Sequence, residues 1–217
     1  MISLHTLSFR YQPTTPWIFK DLSANYQPGS IIGIQGASGS GKTTLLYALC
    51  GVIPAMIKGD FTGEVKINNE ILTNLTLPQI APLASLLMQQ PDYQLFFPTV
   101  EQEIAFGPEN LCLAPAEIQA RVDSALVRLS IEELRHTTSA HLSFGQKRLV
   151  TLAALLALSP QVMLLDEPLG GIHPGLYPLL AKAITQEAQK GKIIFVADHH
   201  PALLELADVR LQMEDLR

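Results

Sequence analysis

Residues 36–44 read Gly36-Ala37-Ser38-Gly39-Ser40-Gly41-Lys42-Thr43-Thr44, and their reading decides the fold. The spacing G-x-x-x-x-G-K-[ST] is present in full, from Gly36 to Thr43. The run before it, Ser30–Gln35, is short, apolar and β-branched, the pattern of a buried strand. The run after it, Thr44–Cys50, consists of helix formers and meets Gly51, a natural stop. Strand, glycine loop and helix is the context that a phosphate-binding loop requires.

The composition of the loop follows from that task. Gly36, Gly39 and Gly41 let the backbone curl so that successive N–H groups, Ala37, Ser38 and Ser40 among them, turn inward. The helix N-terminus, at Thr43 and Thr44, adds unpaired N–H groups and the positive end of its dipole. Lys42 brings a point charge to β- and γ-phosphates, and the Thr43 hydroxyl suits Mg²⁺. A Gly/Ser-rich turn before an ordinary helix explains neither the lysine nor the flanking pattern. The stretch predicts a nucleoside triphosphate site.

Working outward, the 217 residues suit one sizeable α/β domain with a possible subdomain. The chain is 47% hydrophobic with a mean hydropathy of +0.22, yet no run reaches a membrane span. The richest stretch, Leu149–Leu158, is about half of the ~20 residues a spanning helix needs. No signal peptide is expected from the N-terminus. Cys50 and Cys112 offer neither a disulfide framework nor metal-site spacing, and both are expected as buried thiols in a reducing compartment. A net charge of −5 counts against nucleic acid as the main partner. The surplus of apolar residues suggests a surface covered by another protein.

Along the chain, Ile2–Phe9 alternates like a half-exposed strand, and Trp17–Tyr26 resumes a strand pattern before the Pro28-Gly29 turn. Phe61–Glu70 reads as a strand entering a turn at Asn68-Asn69. These segments predict a small antiparallel sheet. Ala84–Gln90 is a short apolar segment, and Thr99–Leu158 is mainly helical, with starts at Thr99 and Pro115. Gln161–Leu165 and Lys192–Ala197 are buried strands around the amphipathic helix Tyr177–Lys190. Strands with helical crossovers indicate a parallel sheet.

Two further signals carry chemistry. The strand ending at Leu165 runs into Asp166-Glu167, which places Asp166 for a Mg²⁺ shell and Glu167 to polarise an attacking water. Leu142-Ser143-Phe144-Gly145-Gln146 opens the longest apolar helix. Ser143 as a helix cap explains that stretch, and so does an anion site at the helix N-terminus formed with the Gly145 N–H. Sequence physics leaves both readings open.

LSFGQ, the glycine loop and Leu164-Leu165-Asp166-Glu167-Pro168 together resemble the ATP-binding subunits of ABC transporters, over essentially the whole chain. The resemblance implies a P-loop NTPase fold with a mostly parallel core sheet, a small antiparallel β subdomain and a helical subdomain. The core and β subdomain would span about residues 1–83 and 160–217, and the helical subdomain about 84–159. It also implies ATP and Mg²⁺ as ligands and a head-to-tail pair of subunits. In that pair Ser143, Gly145 and Gln146 reach the γ-phosphate held by the opposite subunit. Phe144 stands where the family signature has a glycine. Residue by residue, Tyr11 resembles the aromatic that stacks on adenine, Gln89 the glutamine that touches Mg²⁺ and the attacking water, and His199 the switch histidine that contacts the γ-phosphate. Asp166 and Glu167 carry over as the Mg²⁺ ligand and the catalytic carboxylate. His173 replaces an aspartate that helps couple the two sites, with hydrolysis expected to survive.

Gln89–Asn110, QQPDYQLFFPTVEQEIAFGPEN, is similar to the ATPases of energy-coupling-factor importers, which take up vitamins and transition-metal ions. The resemblance implies a transmembrane coupling subunit, a substrate-binding membrane subunit, and a peripheral place on the cytoplasmic face of the membrane. The ATPase pair is either two copies of this chain or this chain with a related one. Tyr93, Phe96 and Phe97 are then expected as exposed aromatics near the partner groove. Contacts made by the longer C-terminal extension of many such ATPases are expected to be absent. Two rival readings are a soluble ATPase of the same superfamily and an ATP-gated module with weak hydrolysis. A phosphate-loop kinase would leave LSFGQ without a role.

Overall fold

In the computed structural model, which describes residues 1–216, the glycine loop joins a strand to a helix as its flanks require. β1 (Ile2–Arg10) and β2 (Phe19–Tyr26) precede β3 (Ile31–Gln35), and α1 (Lys42–Leu49) leaves the loop. A single turn, α2 (Val52–Ala55), leads to β4 (Asp60–Ile67), β5 (Glu70–Ile71) and a second short turn, α3 (Leu77–Ile80). β6 (Ala84–Leu87) opens the helical segment of α4 (Val100–Asn110), α5 (Pro115–Leu129) and α6 (Phe144–Leu158). β7 (Val162–Asp166), α7 (Tyr177–Gln189), β8 (Ile193–Ala197), the short α8 (Pro201–Leu204) and β9 (Val209–Gln212) follow.

The strands form two sheets. β2-β1-β4-β5 is antiparallel, and β6-β7-β8-β3-β9 is parallel throughout. Alternation along β7 shows how the parallel sheet builds two cores. Met163 and Leu165 face α4–α7, while Val162 and Leu164 face α1 and the antiparallel sheet. Every residue of β7 and β8 is buried, as expected for a sheet covered on both faces.

Local chemistry sets the ends of these elements. Thr99 caps α4 and exchanges bonds with Gln102, and Ser143 does the same for α6 with Gln146. Asn68 and Asn69, at φ of 49° and 72°, make the left-handed pair that a two-residue hairpin turn demands. β1 departs from its expected alternation: Ile2–Leu4 and Leu7–Phe9 are buried while His5 and Thr6 face solvent. Its pairing register shifts against β2 after Leu4 and against β4 after His5, and Thr6 has a φ of 47°. A bulge of this kind resets which side chains point inward. Cys50 is buried, and burial pushes its thiol up to about 11, but Cys112 is exposed, contrary to expectation. It follows the end of α4 with a φ of 54°, on a turn outside either core.

Candidate functional site

β3 delivers the chain to the glycine loop, and α1 begins at Lys42, so the loop stands over that helix's N-terminus. Gly41 precedes the helix at a φ of 106°, and a side chain there would run into the Ile18 Cγ2 methyl. Glycine alone meets both conditions. Lys42 folds back along the loop, its Nζ donating to the Gly36 and Ala37 carbonyls at 2.8 and 3.0 Å. Ser40 is buried, and its N–H donates to the Ala37 carbonyl at 3.1 Å.

Two side-chain bonds gather the remaining chemistry at the ends of the parallel strands. Thr43 Oγ1 donates to Asp166 Oδ2 at 2.7 Å, joining the first turn of α1 to the end of β7. Gln89 Nε2 donates to Glu167 Oε2 at 2.8 Å, joining the segment after β6 to the same strand end. Glu167 has a φ of 47°, a conformation that costs a non-glycine residue energy and that recurs at functional sites. Its N–H is fixed by the Ala197 carbonyl at 2.8 Å. Open parallel sheets bind their ligands at this carboxyl edge.

The groups surround a cleft of about 310 Å³, lined by Tyr11, Ile18, Ser38, Gly39, Gly41, Lys42, Thr43, Thr44, Gln89, Asp166 and Glu167. The Tyr11 hydroxyl lies 2.9 Å from Thr44 Oγ1, and its ring meets Phe9 edge-on with one part still exposed. Ile18 is a wall residue that sequence reasoning did not single out. Its only sequence signal is an apolar side chain just ahead of β2.

Burial pushes the pKa of Asp166 up, and the neighbouring Glu167 charge adds to the rise. The Thr43 hydrogen bond and the Lys42 and Arg148 charges oppose it. Among the described residues no group of three or more His, Cys, Asp or Glu forms a metal cluster. Mg²⁺ needs none, because it takes most of its ligands from phosphate and water. The converging Thr43 hydroxyl and Asp166 carboxylate therefore fit that ion.

Other expected site residues lie outside the cleft wall. Ser143 and Gln146 form the capping box of α6, with the Ser143 N–H donating to Gln146 Oε1 at 2.9 Å. Gly145 packs against the Gly171 carbonyl, where a side chain would begin only 2.9 Å away. The His199 side chain is 86% exposed. His200 is committed to the fold, accepting from the Ala202 N–H at 3.2 Å and packing edge-on against Tyr177. Of the two adjacent histidines, His199 is the one open to solvent. His173 caps the turn after it, its Nδ1 accepting from the Gly175 N–H at 3.1 Å.

Tyr93 and Phe96 are 69% and 73% exposed, as expected, and border an apolar cavity of about 370 Å³ floored by Leu86, Leu95 and Leu155. Phe97 is half-buried instead. Its ring packs on Phe106 at 5.0 Å, and Glu103 accepts its N–H at 2.5 Å. Gln94, also missed in the sequence, pins the chain between these groups by bonding Met88 N–H and the Leu86 carbonyl.

The sequence model of the ABC transporter family matches residues 19–170, from β2 through the glycine loop to the turn after Glu167. The chain belongs to the ABC transporter family. It is 39% identical over 181 residues to the energy-coupling factor transporter ATP-binding protein EcfA of Methanoculleus marisnigri, a match of 82% of this chain and 64% of that protein. It covers 27%, 34% and 44% of three more relatives, so it corresponds to only part of those longer proteins. EcfA of Methanosarcina acetivorans is 32% identical over 99% of this chain and 76% of its own length. Among solved structures, the ABC protein CbiO1 of Clostridium perfringens, described as part of a CbiONQ transporter complex, superposes with a TM-score of 0.81 at 29% identity. That match covers 97% of this chain and 83% of the other. A dimeric ATP-binding cassette with ADP and phosphate superposes at 0.79 over 98% of this chain and 94% of its own, but at 22% identity it shows the fold alone. No helix among the described residues of this ABC chain is long and apolar enough to cross a membrane.

Proposed function

We propose that the chain binds and hydrolyses ATP to power a membrane importer of the energy-coupling-factor type, for a vitamin or a transition-metal ion. The observation that carries the reading is the pair of bonds Thr43–Asp166 and Gln89–Glu167, which set two carboxylates over one glycine loop. The loop, Gly36 to Thr44, holds the triphosphate through its N–H groups, and Tyr11 presents a face to adenine. Lys42 exchanges its two loop carbonyls for β- and γ-phosphate oxygens. Thr43, Asp166 and Gln89 would hold Mg²⁺, which would supply neutralisation of charge on those oxygens. Glu167 orients the attacking water and takes up its proton, while Gln89 holds the carboxylate in place.

Ser143, Gly145 and Gln146 act in trans. In a head-to-tail pair they would close over the γ-phosphate of the opposite subunit, with the capped helix N-terminus aimed at it. His199, exposed beyond β8, would reach the same phosphate and stabilise its charge. The second subunit is a copy of this chain or a related ATPase. Residues 1–83 and 160–217 would form the core and β subdomain, joined by β6 of the 84–159 segment because it pairs with β7 in the core sheet, and the rest of 84–159 would form the helical subdomain. The exposed Tyr93 and Phe96 beside their apolar cavity support docking of a transmembrane coupling subunit, which a substrate-binding membrane subunit would accompany. The chain would then lie peripherally on the cytoplasmic face.

Two experiments test this. E167Q should retain ATP affinity, lose at least about a hundredfold in turnover, and accumulate as an ATP-bound dimer on size exclusion. Normal turnover in that variant removes Glu167 from its role. Mass spectrometry of proteins co-purifying with the tagged chain from solubilised membranes should find a multi-span protein and a small substrate-binding one. Soluble partners alone would sink the importer assignment.

A further inference from the structure

Arg148, in the second turn of α6, is 1% exposed and is the largest fully buried side chain of the described chain. Burying a guanidinium is costly unless its donors are engaged. Two of its nitrogens donate to main-chain carbonyls of one segment, Met88 at 2.7 Å and Gln89 at 2.5 Å. Its Nε has no partner. No carboxylate of the described residues forms an ion pair with it; Asp166, Glu167 and Asp198 offset its charge through space.

The guanidinium also reaches the two loops beside it. Its carbon lies 5.6 Å from the centre of the Phe144 ring, in the first turn of α6. One of its nitrogens lies 3.2 Å from where a side chain on Gly170 would begin. A single buried cation thus bonds the Gln89 segment and lies beside the LSFGQ turn and the loop after Glu167. The next side chain back along α6 repeats the link, with Lys147 Nζ 2.5 Å from Asp92.

We propose that Arg148 is a positioning residue for hydrolysis: by clamping the Met88 and Gln89 carbonyls it aims Gln89, and through Gln89 the Glu167 carboxylate, and it ties both to the signature turn. The proposal rests on the reading of Gln89 and Glu167 as groups around the attacking water. When a second subunit presses on the signature turn, Arg148 carries the displacement directly to the Gln89 carbonyl, while Lys147 reaches the segment only further on, at Asp92. Polar groups that orient a functional residue in this way alter rate with little effect on ground-state binding.

The test is a double-mutant cycle on the full chain. kcat, KM for ATP, affinity for a fluorescent ATP analogue and melting temperature are measured for wild type, R148K, Q89A and the double variant. R148K keeps the buried charge and loses the two-pronged grip, so it tests the grip without removing the cation. We expect R148K to lower kcat about ten- to a hundredfold, with nucleotide affinity changed less than about twofold. In the Q89A background the same change should lower kcat less than about threefold, because the group it positions is gone. A purely structural arginine would lower melting temperature and affinity along with kcat, which overturns the proposal. If Q89A slows turnover and R148K adds its full factor on top, Arg148 does not act through Gln89 and the proposal fails alone. If Q89A leaves kcat unchanged, the assignment of Gln89 fails, and the positioning role falls with it.

Discussion

Asp166 holds its proton more tightly in the folded chain than in the unfolded one, because burial and Glu167 disfavour its charge. A raised folded pKa stabilises at low pH, and that contribution fades as pH rises from the ordinary aspartate range through the raised value. Melting curves from pH 4 to 8 without nucleotide should therefore show wild type losing stability relative to D166N, which lacks the titration. A constant difference across that range would mean Asp166 carries no such shift. Phe144 and Gly171 form a close pair between the LSFGQ turn and the loop after Glu167. Gly171 has a φ of 71°, and a side chain there would collide with the Phe144 ring. G171A should cost about 1–2 kcal/mol from the backbone conformation alone, and more from the collision. Adding F144A should recover only the collision part, so chemical denaturation of the two singles and the double will be non-additive. Additivity would show that the ring has room to move away.

Between elements, the helical segment is fastened to α7 by charge as well as apolar packing. Arg128 of α5 reaches Glu187 of α7 at 2.8 Å, and the Glu187 side chain is 2% exposed. Lys190 joins the same carboxylate at 2.8 Å, and a second Arg128 nitrogen bonds the Ala183 carbonyl. Removing the acid leaves Arg128 without its charge partner, so E187Q should lose about 3 kcal/mol in urea unfolding. R128M/E187L, which removes both charges and keeps volume, should lose clearly less. Elements of this kind were legible in the sequence where a period was repeated. The amphipathic run Tyr177–Lys190 returns as α7, the strand ending in Asp166-Glu167 as β7, and the paired asparagines as a hairpin turn. What stayed illegible depends on contacts distant in sequence. The β1 bulge reflects pairing with two strands at once, and the engagement of Arg148 appears only when the Gln89 segment lies beside α6. The cleft was legible from its motifs, except Ile18, which reaches the wall through the Ile18 N–H bond to the Phe9 carbonyl at 2.9 Å.

At the scale of the whole molecule, the parallel sheet divides two apolar cores, and the cleft and the aromatic patch lie at opposite ends of one segment. Gln89 enters the cleft, while Tyr93 and Phe96, a few residues on, stand exposed beside a cavity formed with α4 and α6. The chain between them is held by Gln94 and Arg148, so force on the aromatics has a short bonded route to Gln89. Side chains this exposed contribute little to folding, and their substitution changes stability by roughly half a kcal/mol or less. Phe96→Asp should therefore leave the melting temperature and ATP affinity near wild type. In the importer reading it places a charge in the centre of an apolar contact, a position where truncation or mismatch costs binding by about 2 kcal/mol or more. Co-purification with the membrane protein should fall by at least about tenfold, and stimulation of turnover by that protein should fall in step. Undiminished capture of the partner would move the docking surface away from this patch and leave the two exposed rings without a role.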